Sequence, residues 1–230
     1  MRSFTRAGAV ALALGLIAAP ASAQLFNNPV YFSPSGGTGF SLNGDYARGF
    51  GDNESLNFAG GRGVLGLGPV TIMGGGGVAF DGGSEFTFGS AISLNILDLP
   101  LVPVAINAQA GIGVIDLGGI TELDIPIGAG LAIKVPSPLL DVESWVAPRI
   151  HITRLDFDAG LPIPGAPDTR TEVGYGVSAG LNVTLPTGLG FHAAVDYVSI
   201  SSFDLDAFVV GAGIHYRIRV PGLVPGGIVR

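Results

Sequence analysis

The 230-residue chain contains no cysteine. That excludes a disulfide-stapled scaffold, a thiolate metal site and a lipidated cysteine behind a leader, so an exported form must hold together by its backbone ladder and by burial. Charge is scarce as well: 13% of residues are charged and 47% hydrophobic, at a mean hydropathy of +0.53. Soluble domains carry about 25% charged residues, so the balance is too apolar for one. It is also too broken for a helical membrane protein, because 38 Gly and 16 Pro interrupt the apolar stretches.

The stretch VPVAINAQAGIGVIDL, residues 102–117, shows what replaces the missing helix. Taken at every second position, Val102, Val104, Ile106, Ala108, Ala110, Ile112 and Val114 fall on one side, and Pro103, Ala105, Asn107, Gln109, Gly111 and Gly113 on the other. Helical spacing would scatter Asn107 and Gln109 through the apolar surface. The stretch reads as a strand facing two different solvents.

The first residues have the form of a cleavable secretory leader: Arg2 and Arg6, an apolar run from Ala9 to Ala19, then Ala21-Ser22-Ala23. Residues 1–23 are assigned to it, with an uncleaved anchor as the alternative. Without Arg2 and Arg6, nine basic residues face eighteen acidic ones, a charge of −9 with histidine neutral. Nucleic acid is therefore not an expected partner.

Behind the leader, ten strand-like segments alternate with Gly/Pro/Asp/Ser clusters, over 39–49, 57–67, 70–80, 85–97, 102–114, 122–135, 145–155, 172–185, 189–199 and 207–219. Each is about the 9–11 residues that a tilted strand needs to cross a bilayer. Three are irregular. Arg62 shares a face with Phe58, the run Gly74–Gly77 has no polar side, and Trp145 falls on a polar side, so eight or twelve strands stand as alternatives to ten. The connections alternate between short ones, such as 68–69 and 186–188, and longer, acid-rich ones, such as 51–55, 156–171 and 199–206. That asymmetry is expected of barrels with outward-facing loops. Phe50, Phe58, Phe80, Phe86, Phe88, Phe157, Tyr175, Tyr197, Phe203 and Phe208 gather near the outward strand ends, where amphipathic rings favour a membrane interface. In lipid an open sheet edge leaves backbone groups unpaired, so a membrane sheet must close.

The fold class expected is all-β, a closed antiparallel up-and-down transmembrane β-barrel over 39–219. A periplasmic segment over 24–38 precedes it and a tail over 220–230 follows. Ten strands make a lumen only modestly wider than the eight-strand size that side chains fill, and the many inward Gly and Ala residues are expected to leave water-filled space.

With its leader, dyad alternation, unequal connections and aromatic girdles, the chain resembles the small bacterial outer-membrane β-barrels of the porin-like and opacity type. The resemblance implies an outer-membrane location, lipid and lipopolysaccharide as surroundings and the barrel-assembly machinery as partner. It is a likeness of pattern and carries no functional residue across. One departure stands out: such barrels usually end on an aromatic residue, whereas this chain runs past Tyr216 and Ile218 to Arg230.

Candidate lumen residues are Arg62, Asn107, Gln109, Asp124, Lys134, Arg149, His151, Glu172, His192, Asp196, His215 and Arg217, with Asp45 on the same parity. They could set ion selectivity as a ring of charge, or pair across a narrow interior and plug it. His192, Asp196 and His215 could form an acid–base or metal group, but no spacing of the H-E-x-x-H kind supports it; polar wall residues are the simpler reading. Asp156, Asp158, Asp204 and Asp206 are weak calcium candidates in outward loops that complete no calcium motif. Gly74–Gly77 lacks the Lys-Ser/Thr of a phosphate loop, and the glycines there and at Gly128 and Gly130 read as sites of close packing. No cofactor is expected.

Three functions follow in order. The first is a non-enzymatic outer-membrane barrel, structural or a narrow porin-like channel. The second is a lipid-modifying outer-membrane hydrolase, for which His192, Asp196 and Ser178 are the trio to nominate. The third is a secreted soluble barrel that binds an apolar ligand, which requires inverted polarity.

Overall fold

The computed structural model describes residues 37–51, 57–80, 84–98, 103–116, 119–137, 139–157, 169–200 and 205–218. The leader and the C-terminal tail lie outside them, and Gly37 and Thr38, expected in the N-terminal segment, join the first strand. Ten strands are described: β1 (Gly37–Gly51), β2 (Asn57–Gly68), β3 (Val70–Phe80), β4 (Ser84–Asp98), β5 (Val104–Asp116), β6 (Ile120–Pro136), β7 (Asp141–Phe157), β8 (Thr169–Thr184), β9 (Leu189–Ile200) and β10 (Leu205–Ile218). Each pairs antiparallel with its neighbour in sequence, and β1 closes on β10 from Phe40↔Ile218 to Gly51↔Ala207. Closure leaves no edge, as a bilayer demands. The count is ten.

Several strands outrun the segments expected from alternation. β7 begins at Asp141 and β8 at Thr169, and Asp156 pairs with Thr169 beyond the regularly alternating part. The reason is physical: alternation records the contrast between lipid and lumen, whereas the backbone ladder continues past the bilayer into the polar ends.

The aliphatic rows point outward. Phe86, Phe88, Ile92, Leu94 and Ile96 on β4, Ile127, Leu131 and Ile133 on β6, and Val173, Tyr175, Val177 and Leu181 on β8 are all exposed. More than thirty large apolar side chains lie on the outside. Each is worth roughly 1.5–3 kcal/mol on leaving water, so this surface requires a nonaqueous surround. The opposite rows, including Asn107, Gln109, Asp124, Arg149 and His151, are buried inside. Such polarity is the inverse of a soluble barrel and removes the secreted apolar-ligand binder from consideration.

Two expectations are corrected inside the barrel. Phe58 is not an interface residue but lies fully buried in the interior, where Trp145 on its polar side is also buried. The inward glycines do not leave open space; they admit large neighbours. A Cβ on Gly77 would lie 2.5 Å from the Phe58 ring, one on Gly75 2.7 Å from Arg62 Cβ, one on Gly128 2.7 Å from Arg149 Cβ and one on Gly180 2.5 Å from the Trp145 indole. Close approach of this kind accounts for Gly75, Gly76 and Gly77 of β3, which meet Arg62, Phe88 and Phe58.

Two prolines mark breaks on either side of β6. The β5–β6 ladder lapses between Ala110↔Ile127 and Gly113↔Asp124, beside Pro126, and the β6–β7 ladder lapses between Gly128↔Arg149 and Leu131↔Val146, beside Pro148. Proline has no N–H to donate there.

Candidate functional site: the barrel interior

The interior is layered along the barrel axis. At the end bearing the longer connections, Phe58, Ile115, Leu155, Val198, Ile200 and Val209 form an apolar cap, each at most 2% exposed. They come from β2, β5, β7, β9 and β10, each near the strand end adjoining those connections. Below the cap lie two hydrogen-bonded clusters of charged groups.

The first cluster joins β2, β1, β9, β10 and β8. Arg62 Nε donates to Asp45 Oδ2 at 2.7 Å, and His192 Nε2 meets Asp45 Oδ1 at 2.6 Å. His192 Nδ1 faces His215 Nδ1 at 3.2 Å, and Thr184 Oγ1 lies 2.9 Å from His215 Nε2. The imidazole centres are 5.5 Å apart with planes at 21°, so the rings meet edge to edge and share one N–H···N bond. One proton assignment satisfies the whole chain. A carboxylate only accepts, so His192 Nε2 donates to Asp45; His192 Nδ1 then accepts from His215 Nδ1, and His215 Nε2 accepts from the Thr184 hydroxyl. Antiparallel register brings these side chains together: Asp45 opposes Gly213, which also opposes His192, and His215 opposes Gly190.

The second cluster joins β6, β7, β8 and β9 around Arg149. Its Nε donates to His151 Nε2 at 2.6 Å, its Nη1 to Ser178 Oγ and its Nη2 to Asp196 Oδ1. Ser178 Oγ donates to Asp196 at 2.8 Å. His151 Nδ1 binds Asp124 Oδ2 at 2.8 Å, and Thr153 Oγ1 donates to Asp124 Oδ1 at 3.0 Å. Burial of a guanidinium beside a carboxylate is tolerable here because nearly every donor and acceptor finds a partner.

Of the residues that parity assigned to the interior, Arg62, Asn107, Gln109, Asp124, Arg149, His151, His192, Asp196 and His215 are buried. The trio His192, Asp196 and Ser178 divides: Asp196 and Ser178 belong to the Arg149 cluster, while His192 contacts Asp45 and His215. Asn107 and Gln109 are buried with both amide atoms unpartnered. Lys134 is half-buried opposite Glu143, and Arg217 is exposed at the far end of β10. Glu172 accepts from Arg170 Nε at 2.6 Å. Of the calcium candidates, Asp156 is bound by Arg154 and Thr169. Asp206 is in register with Ser199, and Asp158 and Asp204 lie outside the described residues. No group of three or more His, Asp or Glu among the described residues is placed to hold a metal.

Sequence reading passed over Glu122. It is fully buried near the cap with both carboxyl oxygens unpartnered. Its signal was available, since it shares parity with Asp124 two positions on.

No protein-family model matches the chain, and no curated protein matches it. Solved structures resemble it in strand arrangement. The N-terminal β-barrel domain of Pseudomonas aeruginosa OprF shares 11% identity, over 80% of this chain and 100% of that one, at a TM-score of 0.38. The β domain of the Bordetella autotransporter BrkA shares 11%, over 80% and 100%, at 0.48. The outer membrane enzyme PagL shares 7%, over 78% and 99%, at 0.40. At such identities the likeness is architectural and carries no activity with it. The closed ring and its inverted polarity, read from this chain alone, make it a transmembrane β-barrel of the outer-membrane type.

Proposed function

We propose that the protein is a non-enzymatic integral barrel of the bacterial outer membrane that rests closed, serving as a structural or surface scaffold rather than an open pore. One observation carries this reading: inward side chains from most of the wall meet in two bonded clusters beneath a layer of buried apolar side chains. A conducting lumen needs polar walls that stay apart. Lipid and lipopolysaccharide would surround the apolar belt, and the barrel-assembly machinery would insert it. The hydrolase reading finds little support, because His192 Nε2 is bonded to Asp45 and His151 presents its Nε2 to Arg149 rather than to a nucleophile.

Planar-bilayer recording of the refolded mature chain tests the proposal. In mildly acidic buffer the expected trace is silent. Sustained, voltage-independent conductance there would replace the scaffold with a constitutive channel.

A further inference from the structure

Glu122 does not belong in a permanently closed cap. Register sets it between Ile115 of β5 and Leu155 of β7, both within the apolar layer, and its two oxygens have no hydrogen-bond partner. Nearby donors are committed elsewhere. The Thr87 hydroxyl donates to the Val114 carbonyl, Thr153 and His151 serve Asp124, and Arg149 serves His151, Ser178 and Asp196.

The charged groups facing this position are of both signs. Asp124 lies on the same strand; β7 contributes His151 and Arg149, both engaged in the second cluster. β5 turns its only acid, Asp116, to the outer face. Glu85 of β4 and Glu172 of β8 follow the inward parity at the mouth, the latter paired with Arg170. An ionised Glu122 would therefore be buried without a hydrogen-bond partner and two positions from Asp124, whereas its neutral acid fits among Ile115 and Leu155.

A second observation gives the direction of yielding. The unpartnered buried polar atoms belong to Thr71 on β3, Asn107 and Gln109 on β5, Glu122 on β6 and Trp145 on β7. On β1, β8, β9 and β10, Asp45, Ser178, His192, Asp196 and His215 are bonded. Among the described residues the unpartnered polar groups thus lie on one side, and water entering there would satisfy them. That side also holds the interrupted β5–β6 ladder.

We propose that Glu122 is the proton-sensitive element of a gate at the outward mouth: neutral, it lets the apolar cap close; ionised, it draws water in along the β5–β6 wall and opens a passage beside the two bonded clusters. The proposal rests on the reading of the resting barrel as closed. Loss of the proton is the opening step, so opening increases as pH rises.

The refolded chain is recorded in planar bilayers from about pH 5 to about pH 9, a range that brackets documented buried glutamates. The native chain is expected to be silent at the acid end and to open toward the alkaline end, and Glu122→Gln to remain silent throughout. Silence of both forms at every pH overturns the gate and leaves the closed scaffold standing. Conductance at the acid end overturns both readings. A pH response that survives in Glu122→Gln overturns the assignment to this residue.

Because the chain has no cysteine, Gln109→Cys supplies a unique reporter. At one alkaline pH, a water-soluble thiosulfonate is expected to label it about tenfold faster in the native background than with Glu122→Gln. Equal rates overturn the proposal. A heat-modifiability gel establishes that each variant folds.

Discussion

Arg149 binds three side chains from three strands, His151 on its own strand, Ser178 on β8 and Asp196 on β9. Removing it takes the guanidinium partner from the buried Asp196 carboxylate, and such truncations cost about 3–5 kcal/mol. Arg149→Met should therefore lower the unfolding free energy of the detergent-refolded barrel, read from urea titration, by an amount in that range. Adding Asp196→Leu should recover most of the loss, because an apolar pair of similar volume no longer buries an uncompensated charge. Failure of the second change to recover stability would show that Arg149 acts through shape rather than charge. At this scale sequence reading went far: parity alone placed Arg149, His151, Asp124, His192 and His215 inside. It could not say which carboxylate each cation meets, since that depends on register across strands distant in the chain.

Among the elements, β6 is the least conventional, with Pro126 beside a lapsed ladder on one side and Pro148 of the next strand beside another. Pro126→Ala returns an N–H facing β5, and a recovered ladder bond is worth about 1 kcal/mol net. Hydrogen exchange at residues 111–112 should slow and the thermal midpoint rise; unchanged exchange would mean that the ladder is parted by packing and not by the missing donor. The same strand shows the limits of pattern. Alternation located β6 from Leu123 to Val135, yet its outer end at Ile120 rests on pairing with Phe157, a contact that no local signal encodes. The Gly74–Gly77 run was opaque for a related reason. Its glycines are selected by what Phe58, Arg62 and Phe88 on neighbouring strands require.

For the whole molecule, the belt of exposed Ile, Leu, Val and Phe predicts strict dependence on an apolar surround. Size-exclusion chromatography should give a single sharp species in detergent and aggregates after detergent removal, since patches far beyond a few hundred Å² associate in water. A monodisperse species in plain buffer would contradict the membrane assignment. The interior predicts the opposite sensitivity: its ion pairs are shielded from salt, so raising ionic strength should shift stability little.

What the sequence determined by itself was the two-solvent character of the chain. Scarce charge, period-two alternation and the obligation of a membrane sheet to close lead to a barrel with lipid outside and polar groups within. What only the tertiary structure decided was which side chains meet inside it. Ring closure brings Asp45 of β1 to His192 of β9 and turns Phe58 and Trp145 inward, filling with side chains the space that the glycines seemed to leave empty. The cause is that lumen width depends on which large residue faces which glycine across the ladder, and that is a property of register that no single strand carries.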